Sequence, residues 1–334
     1  MQSQISKNIL QTIVYYDVLN FPLTVFETWK YLIAENSCTL GEVVEALDSD
    51  ELKNHIEEFR GFYFLKGRKD LVARRIQCDK NSAVKFEIAE KAARWLKYIP
   101  FVRMIAVTGT LAMKNCEKSS DIDFFVILEK GRIFTGRLLA TLVVHLLGKR
   151  RYGKKIKNRI CLNYFATTGS LEIQRQDLFA ANEYSFIYPI FDSFCHSRES
   201  GNPKKNEYHI AAGSRVKPGM TKKSVFCQFC ETNAEWIKKI KPNWEVPELK
   251  PARYFVESSK FSSSIQKAGE SLINLFWGDR IESWLKDMQI KRIRRNPLTN
   301  KPGAYIEYSD ENLIFLPEPQ GLRIEEEWQR RINS

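Results

Sequence analysis

The stretch "VTGTLAMKNCEKSSDIDFFVI", Val107 to Ile127, decides how this chain is read. A small-residue turn, Gly109-Thr110, closes the apolar run "VRMIAV". After "LAMKN" and the polar "CEKSS" comes "DIDFFVIL", apolar except for Asp121 and Asp123. Side chains at i and i+2 of a strand face the same way. The two carboxylates therefore project together, and Ile122 points into the opposite layer. Two adjacent carboxylates repel unless something positive lies between them. Mg²⁺ takes hard oxygen ligands and is usually held by one or two carboxylates plus substrate phosphates. Two such ions can activate an attacking oxygen and steady a leaving pyrophosphate. Gly109 would let a phosphate approach the backbone, and Thr110 would offer a hydroxyl. The start of the short helix that follows would add free N–H groups.

Working outward, residues 80 to about 175 read as an α/β unit with mixed sheet order. A helix is expected over residues 82–98, then the strand, turn and strand above. A long apolar helix follows over 132–147. The basic loop "GKRRYGKKIKNR" leads into the strand "ICLNYFAT". Residues 1–78 form a first unit. Helical spacing runs through "ISKNILQTIVYYDVL", and Thr24 is placed to cap "VFETWKYLIA". "TLGEVVEAL" and "DELKNHIEEFRGF" read as further helices. "FYFLKGRKDLVARR" reads as two extended pieces about the turn Lys66-Gly67-Arg68. Three helices and a basic hairpin resemble a winged helix, a unit that binds DNA or docks proteins. Glu51, Glu57 and Glu58 on the expected third helix would repel a phosphate backbone. Residues 176–334 read as mostly helical, over 176–194, 225–239 and 258–289. The strands "AYIEY" and "NLIFL" and a last helix "GLRIEEEWQRRI" follow.

The chain has 334 residues, 43% of them hydrophobic, enough for two or three cored domains. Its formal net charge of +12 suits an acidic partner such as a nucleotide or nucleic acid, though a basic surface also serves solubility. The seven Cys are scattered and odd in number, the pattern of reduced thiols in a cytoplasmic protein. No secretory signal is apparent, and the longest apolar run, 138–147, is too short to span a bilayer, so no membrane partner is expected.

Gly109-Thr110, ten residues, then Asp121-Ile122-Asp123 resembles the signature of the DNA polymerase β-like nucleotidyltransferase superfamily. The pattern there is Gly-Ser, a comparable spacer, then Asp-x-Asp or Asp-x-Glu in a strand. The resemblance covers residues 90–173. It implies a nucleotidyltransferase fold that uses Mg²⁺ or Mn²⁺ to move a nucleoside monophosphate from an NTP such as ATP. The acceptor would be a nucleic acid end, a protein side chain or a small molecule. It assigns Gly109 and Thr110 to phosphate and Asp121 and Asp123 to metal. Lys154 and Lys155 of the basic loop are candidates to steady the triphosphate. The family's third acid belongs on a neighbouring strand, where this chain has Asn163; Glu172 and Asp177 stand nearby as substitutes. Asn can ligate through oxygen but cannot take a proton. The alternative is a catalytically degenerate nucleotide-binding regulator or nucleic-acid-binding protein. The whole plan also resembles bacterial nucleotidyltransferase-domain proteins with a winged-helix-like front.

Three other features read as structural. Cys227 and Cys230 have the spacing of a zinc pair but no second pair, so they read as core residues of a helix. His145 reads as a core or interface histidine and His55 as a surface one. Residues 196–222, rich in Gly, Pro, Ser and basic residues, read as a disordered insertion into a helical hairpin. "SRESGNP" and "GSRVKPGMT" within it resemble peptides read from dispersed genomic repeats. Its deletion should leave the melting temperature nearly unchanged, because loop-closure cost grows slowly with length.

Overall fold

The computed structural model describes residues 2–196, 223–249, 253–275 and 278–333. The expected insertion lies outside the described residues but for His196. The chain opens with α1 (Gln2–Val18), β1 (Leu23–Thr24), α2 (Val25–Lys30), α3 (Leu40–Leu47) and the single turn α4 (Asp50–Lys53). Thr24 caps α2 as expected, and Thr39 caps α3; each makes a capping box with a Glu three residues on. The strands β2 (Ile56–Phe59) and β3 (Phe62–Leu65) follow, in a three-stranded sheet of order β1-β3-β2. Ile9, Ile13, Leu32, Val43, Leu47, Leu52 and Ile56 form a core of their own.

Here the hairpin falls earlier than the sequence suggested. The two-residue turn is Arg60-Gly61, with φ of 56° and 78°, the positive pair that joins strands with matching twist. Glu57 and Glu58 therefore stand exposed on β2, not on a third helix. Gly67 ends β3 instead of turning a hairpin. "DLVARR" opens the long helix α5 (Asp70–Leu96), which runs straight through residue 78.

The rest is mixed α/β with helical C-terminal segments. In order come β4 (Val102–Val107), the one-turn α6 (Gly109–Ala112), β5 (Ile122–Leu128), α7 (Ile133–Leu146), β6 (Ile160–Thr167), α8 (Leu178–Ser185) and β7 (Tyr188–His196). Then follow α9 (Val225–Thr232), α10 (Ala234–Ile240), β8 (Val256–Ser258), α11 (Lys260–Leu275) and α12 (Gly278–Arg294). A 3₁₀ turn (Pro297–Asn300), β9 (Tyr305–Tyr308), β10 (Asn312–Leu316) and α13 (Gly321–Ile332) close the chain. The seven-stranded sheet has the order β8-β7-β4-β5-β6-β10-β9, parallel at β5–β6 and β7–β8 and antiparallel elsewhere. It draws strands from both sides of residue 175.

One expected helix is a strand. The apolar run around "IYPIFDSF" forms β7 beside β4, with Ile190 and Phe191 fully buried. A short apolar run fits a buried strand as well as a helix, and only the vacant edge of β4 separates the two.

The central strand β5 is buried on both faces. Ile122, Phe124, Val126 and Leu128 meet α5, α7 and α12 through Phe86, Ala89, Ala93, Phe134, Val144 and Leu285. Phe125 and Ile127 face the other layer, with Tyr15 and Tyr16 of α1 and with Tyr184, Phe229, Trp236 and Trp244. Asp123 shares the face of Phe125, so the carboxylates lie on the side covered by α8–α10 and the N-terminal unit.

Candidate functional site

Ile122 is fully buried in the first layer, as the alternation requires. Asp121 and Asp123 lie together with Cys161 of β6: one ligand atom of each falls within 4.8 Å of the others. The parallel pairing sets Asp123 directly opposite Cys161. The register then slips, with Phe125 opposite Tyr164, so β6 carries an extra residue here. Such bulges re-aim side chains. Asn163 Nδ2 thereby donates to Asp123 Oδ1 at 3.1 Å. Asn163, where the resemblance leads one to expect a third acid, thus faces the pair with its carboxamide, beside the Cys161 thiol.

Gly109 adopts φ +63°, the left-handed region that penalises side chains. A Cβ there would stand 3.2 Å from Asp123 Oδ2. The turn is fastened to the strand by Thr108 N–H donating to Asp123 C=O at 3.2 Å. Thr110 is exposed, and its hydroxyl lies 3.4 Å from Cys116 Sγ. The helix that Gly109 opens is a single turn, so it brings little macrodipole.

The approach to Asp121 is held by a buried lysine. Lys85 Nζ donates to Ser120 C=O at 2.6 Å and to Asn158 Oδ1 at 2.9 Å. Ile122 N–H donates to Arg159 C=O at 2.8 Å, and Arg151 N–H donates to Ile160 C=O at 2.9 Å. The basic loop is thereby pinned beside β5 and β6. Arg151 Nη1 reaches Asp121 Oδ2 at 2.6 Å and Cys161 Sγ at 3.5 Å. Lys154 and Lys155 are exposed; Lys155 donates to the Tyr152 hydroxyl at 3.0 Å. Of the basic cluster, it is Arg151 that touches the carboxylates.

Electrostatics follow from enclosure. Burial, reinforced by the Asp121 and Glu183 carboxylates, pushes the Asp123 carboxyl up to about 7. Burial likewise pushes Glu183 of α8 up to about 7, against the polar Thr108 side chain and the Arg175 charge, which favour its ionised form. Cys161 is pushed up to about 12 by burial and then by Asp123. A divalent cation beside Asp123 and Cys161 would favour the ionised forms of both. The donor set of two carboxylates, a thiol and a carboxamide, beside a turn that a Cβ would crowd, fits such an ion.

Glu172 and Asp177 do not substitute for the third acid. Glu172 is exposed and accepts from Gln176, whereas Asp177 caps α8 and pairs with Arg175. Of the two cysteines expected in the core of a helix, Cys230 is buried, with its thiol pushed up by burial, whereas Cys227 is only half-buried. His145 is exposed on α7, not in a core. Cys161 and Glu183 were missed. The first had a signal, since it precedes Asn163 by one strand period; the second had none, coming from a helix across the layer.

Among the described residues, no helix is long and apolar enough to cross a membrane. Comparison with models of known protein families, with curated proteins and with solved structures finds no match for the chain.

Proposed function

We propose that the chain is a divalent-metal-dependent nucleotidyltransferase, moving a nucleoside monophosphate from an NTP to an acceptor hydroxyl with release of pyrophosphate. The observation that carries this reading is the pairing of Asp121 and Asp123 on one face, with left-handed Gly109 packed against Asp123 Oδ2. A bound Mg²⁺ or Mn²⁺ would supply charge neutralisation at the phosphates and activation of the attacking oxygen. Asp121 and Asp123 hold that charge in place. Gly109 leaves room for a phosphate at the backbone, and Thr110 presents a hydroxyl beside it. Arg151, released from Asp121, supplies a guanidinium for the triphosphate. Glu183, whose carboxyl is pushed up to about 7 by burial, is suited to take a proton near neutral pH. The N-terminal order of helix, strand, two helices, a helical turn and a β-hairpin favours a winged-helix unit, the natural place for a nucleic acid or protein acceptor.

A second reading has its own observation. Asn163 and Cys161 stand where a third carboxylate would, and Arg151 already neutralises Asp121. That arrangement suits a degenerate site that binds nucleotide without turnover. Incubation with each α-³²P-NTP, Mg²⁺ or Mn²⁺, and a cell lysate separates the two. Label transfer that is lost in Asp121→Asn and Asp123→Asn supports the enzyme. Nucleotide binding with no transfer to any fraction supports the regulator, and absence of both nucleotide and metal binding removes both.

A further inference from the structure

We infer that Cys161 is a ligand of the metal held by Asp121 and Asp123, and that its sulfur makes this centre select Mn²⁺, Co²⁺ or Zn²⁺ over Mg²⁺. The inference rests on the metal-binding part of the proposed function and specifies which ion the site takes.

Donor atoms around one ion, at about 2.0–2.3 Å from it, lie about 3–4.5 Å apart. The ligand atoms of Asp121, Asp123 and Cys161 already fall within 4.8 Å of one another. Two strands hold them: Asp123 and Cys161 are direct partners across β5 and β6, so neither needs a loop to bring it in. A second observation marks the spot as a seat for positive charge. The Arg151 guanidinium bridges Asp121 Oδ2 at 2.6 Å and Cys161 Sγ at 3.5 Å. Its side chain is 42% exposed, so it can swing away and leave the seat open to an incoming ion. Cys161 itself is not sealed in the core. Asn163, whose carboxamide meets Asp123, offers a neutral oxygen on rotation.

Donor softness decides the ion. Mg²⁺ demands near-octahedral oxygen coordination, and a thiolate in its shell is unfavourable. Mn²⁺, Co²⁺ and Zn²⁺ accept sulfur with increasing affinity. On binding, the Cys161 S–H bond breaks, sulfur donates its electron pair to the metal, and the proton passes to solvent. No electron is transferred. Arg151 exchanges Asp121 for water or for substrate phosphate.

The test uses the reduced full-length chain titrated with Co²⁺, whose bond to a thiolate gives a sulfur-to-metal charge-transfer band in the near ultraviolet. The band should appear in the wild type and in Cys227→Ser, and vanish in Cys161→Ser. The ratio of Mn²⁺ to Mg²⁺ affinity, measured by calorimetry, should fall roughly ten-fold in Cys161→Ser. Independently of any variant, Mn²⁺ should protect Cys161 of the wild-type chain from alkylation, read by mass spectrometry. Metal binding that is lost in Asp121→Asn but shows no charge-transfer band overturns this inference and leaves the metal site standing. So does a band unchanged in Cys161→Ser, or alkylation of Cys161 unaffected by Mn²⁺. A wild-type chain that binds none of Mg²⁺, Mn²⁺ and Co²⁺ overturns both.

Discussion

Replacing Gly109 with Ala adds one methyl group at the point where the turn meets the acid pair. Two costs follow. The backbone at φ +63° disfavours any L side chain, by about 1–2 kcal/mol. The new Cβ also lands 3.2 Å from Asp123 Oδ2, so the carboxylate must give way by a few tenths of an ångström. The first cost is one of stability, worth about 2–4 °C of melting temperature per kcal/mol in a domain of ~150–250 residues. The second falls on the site, because a carboxylate pushed off its position loses its hold on a cation. A loss of about 1.4 kcal/mol there is ten-fold in affinity. Gly67→Ala separates the two, since Gly67 has φ +80° with nothing within 4 Å of an added Cβ. Both variants should melt lower by comparable amounts. Only Gly109→Ala should lose about ten-fold or more in Mn²⁺ affinity by calorimetry. Equal metal affinity in the two variants would refute the claim that Gly109 is kept for the site.

Asn163→Asp places a third carboxylate beside Asp123 Oδ1, where the amide now donates at 3.1 Å. Without metal the variant should melt lower than wild type through like-charge repulsion, and with Mg²⁺ it should melt higher, a crossover read by thermal melts with and without the ion. Arg151→Ala removes a half-exposed ion pair worth about 0.2–1 kcal/mol, so metal affinity should rise by about 1.4- to five-fold by calorimetry; a fall would mean that Arg151 supports the site and does not compete for it. Lys241 is fully buried, hydrogen-bonded to Tyr16 Oη and Asn182 Oδ1 at 2.8 Å each, and burial pushes its ammonium well below the usual lysine range. The unfolded chain then binds the extra proton over the window between the lowered folded value and ~10.4, so stability rises with pH across it, by at most about 1.4 kcal/mol per unit. Lys241→Met should flatten that rise in denaturant melts between pH 7 and 9, while Tyr16 Oη keeps Asn182 as partner at 2.6 Å; an unchanged slope would sink the assignment.

The sequence by itself determined the acid pair, the turn before it and the layers around them. A two-residue period inside an apolar run leaves one geometry for Asp121 and Asp123, and Gly109 is the residue type that a left-handed turn beside a carboxylate demands. Thr24 was legible as a cap for the same reason, since its partner Glu27 is three residues away. Local chemistry of this kind is written in adjacent letters. The tertiary structure decided what long-range pairing decides. "IYPIFDSF" carries no mark that distinguishes helix from strand, and it became β7 because β4 offered an unpaired edge. The hairpin moved to Arg60-Gly61 because Ile56 and Leu65 could pair only about that turn. Arg151 reached Asp121 because the loop is sewn to Ile160, and Glu183 came in from a helix on the covering layer. Cys161 took the seat beside Asp123 because the parallel register of β5 and β6, which no single strand encodes, set them face to face.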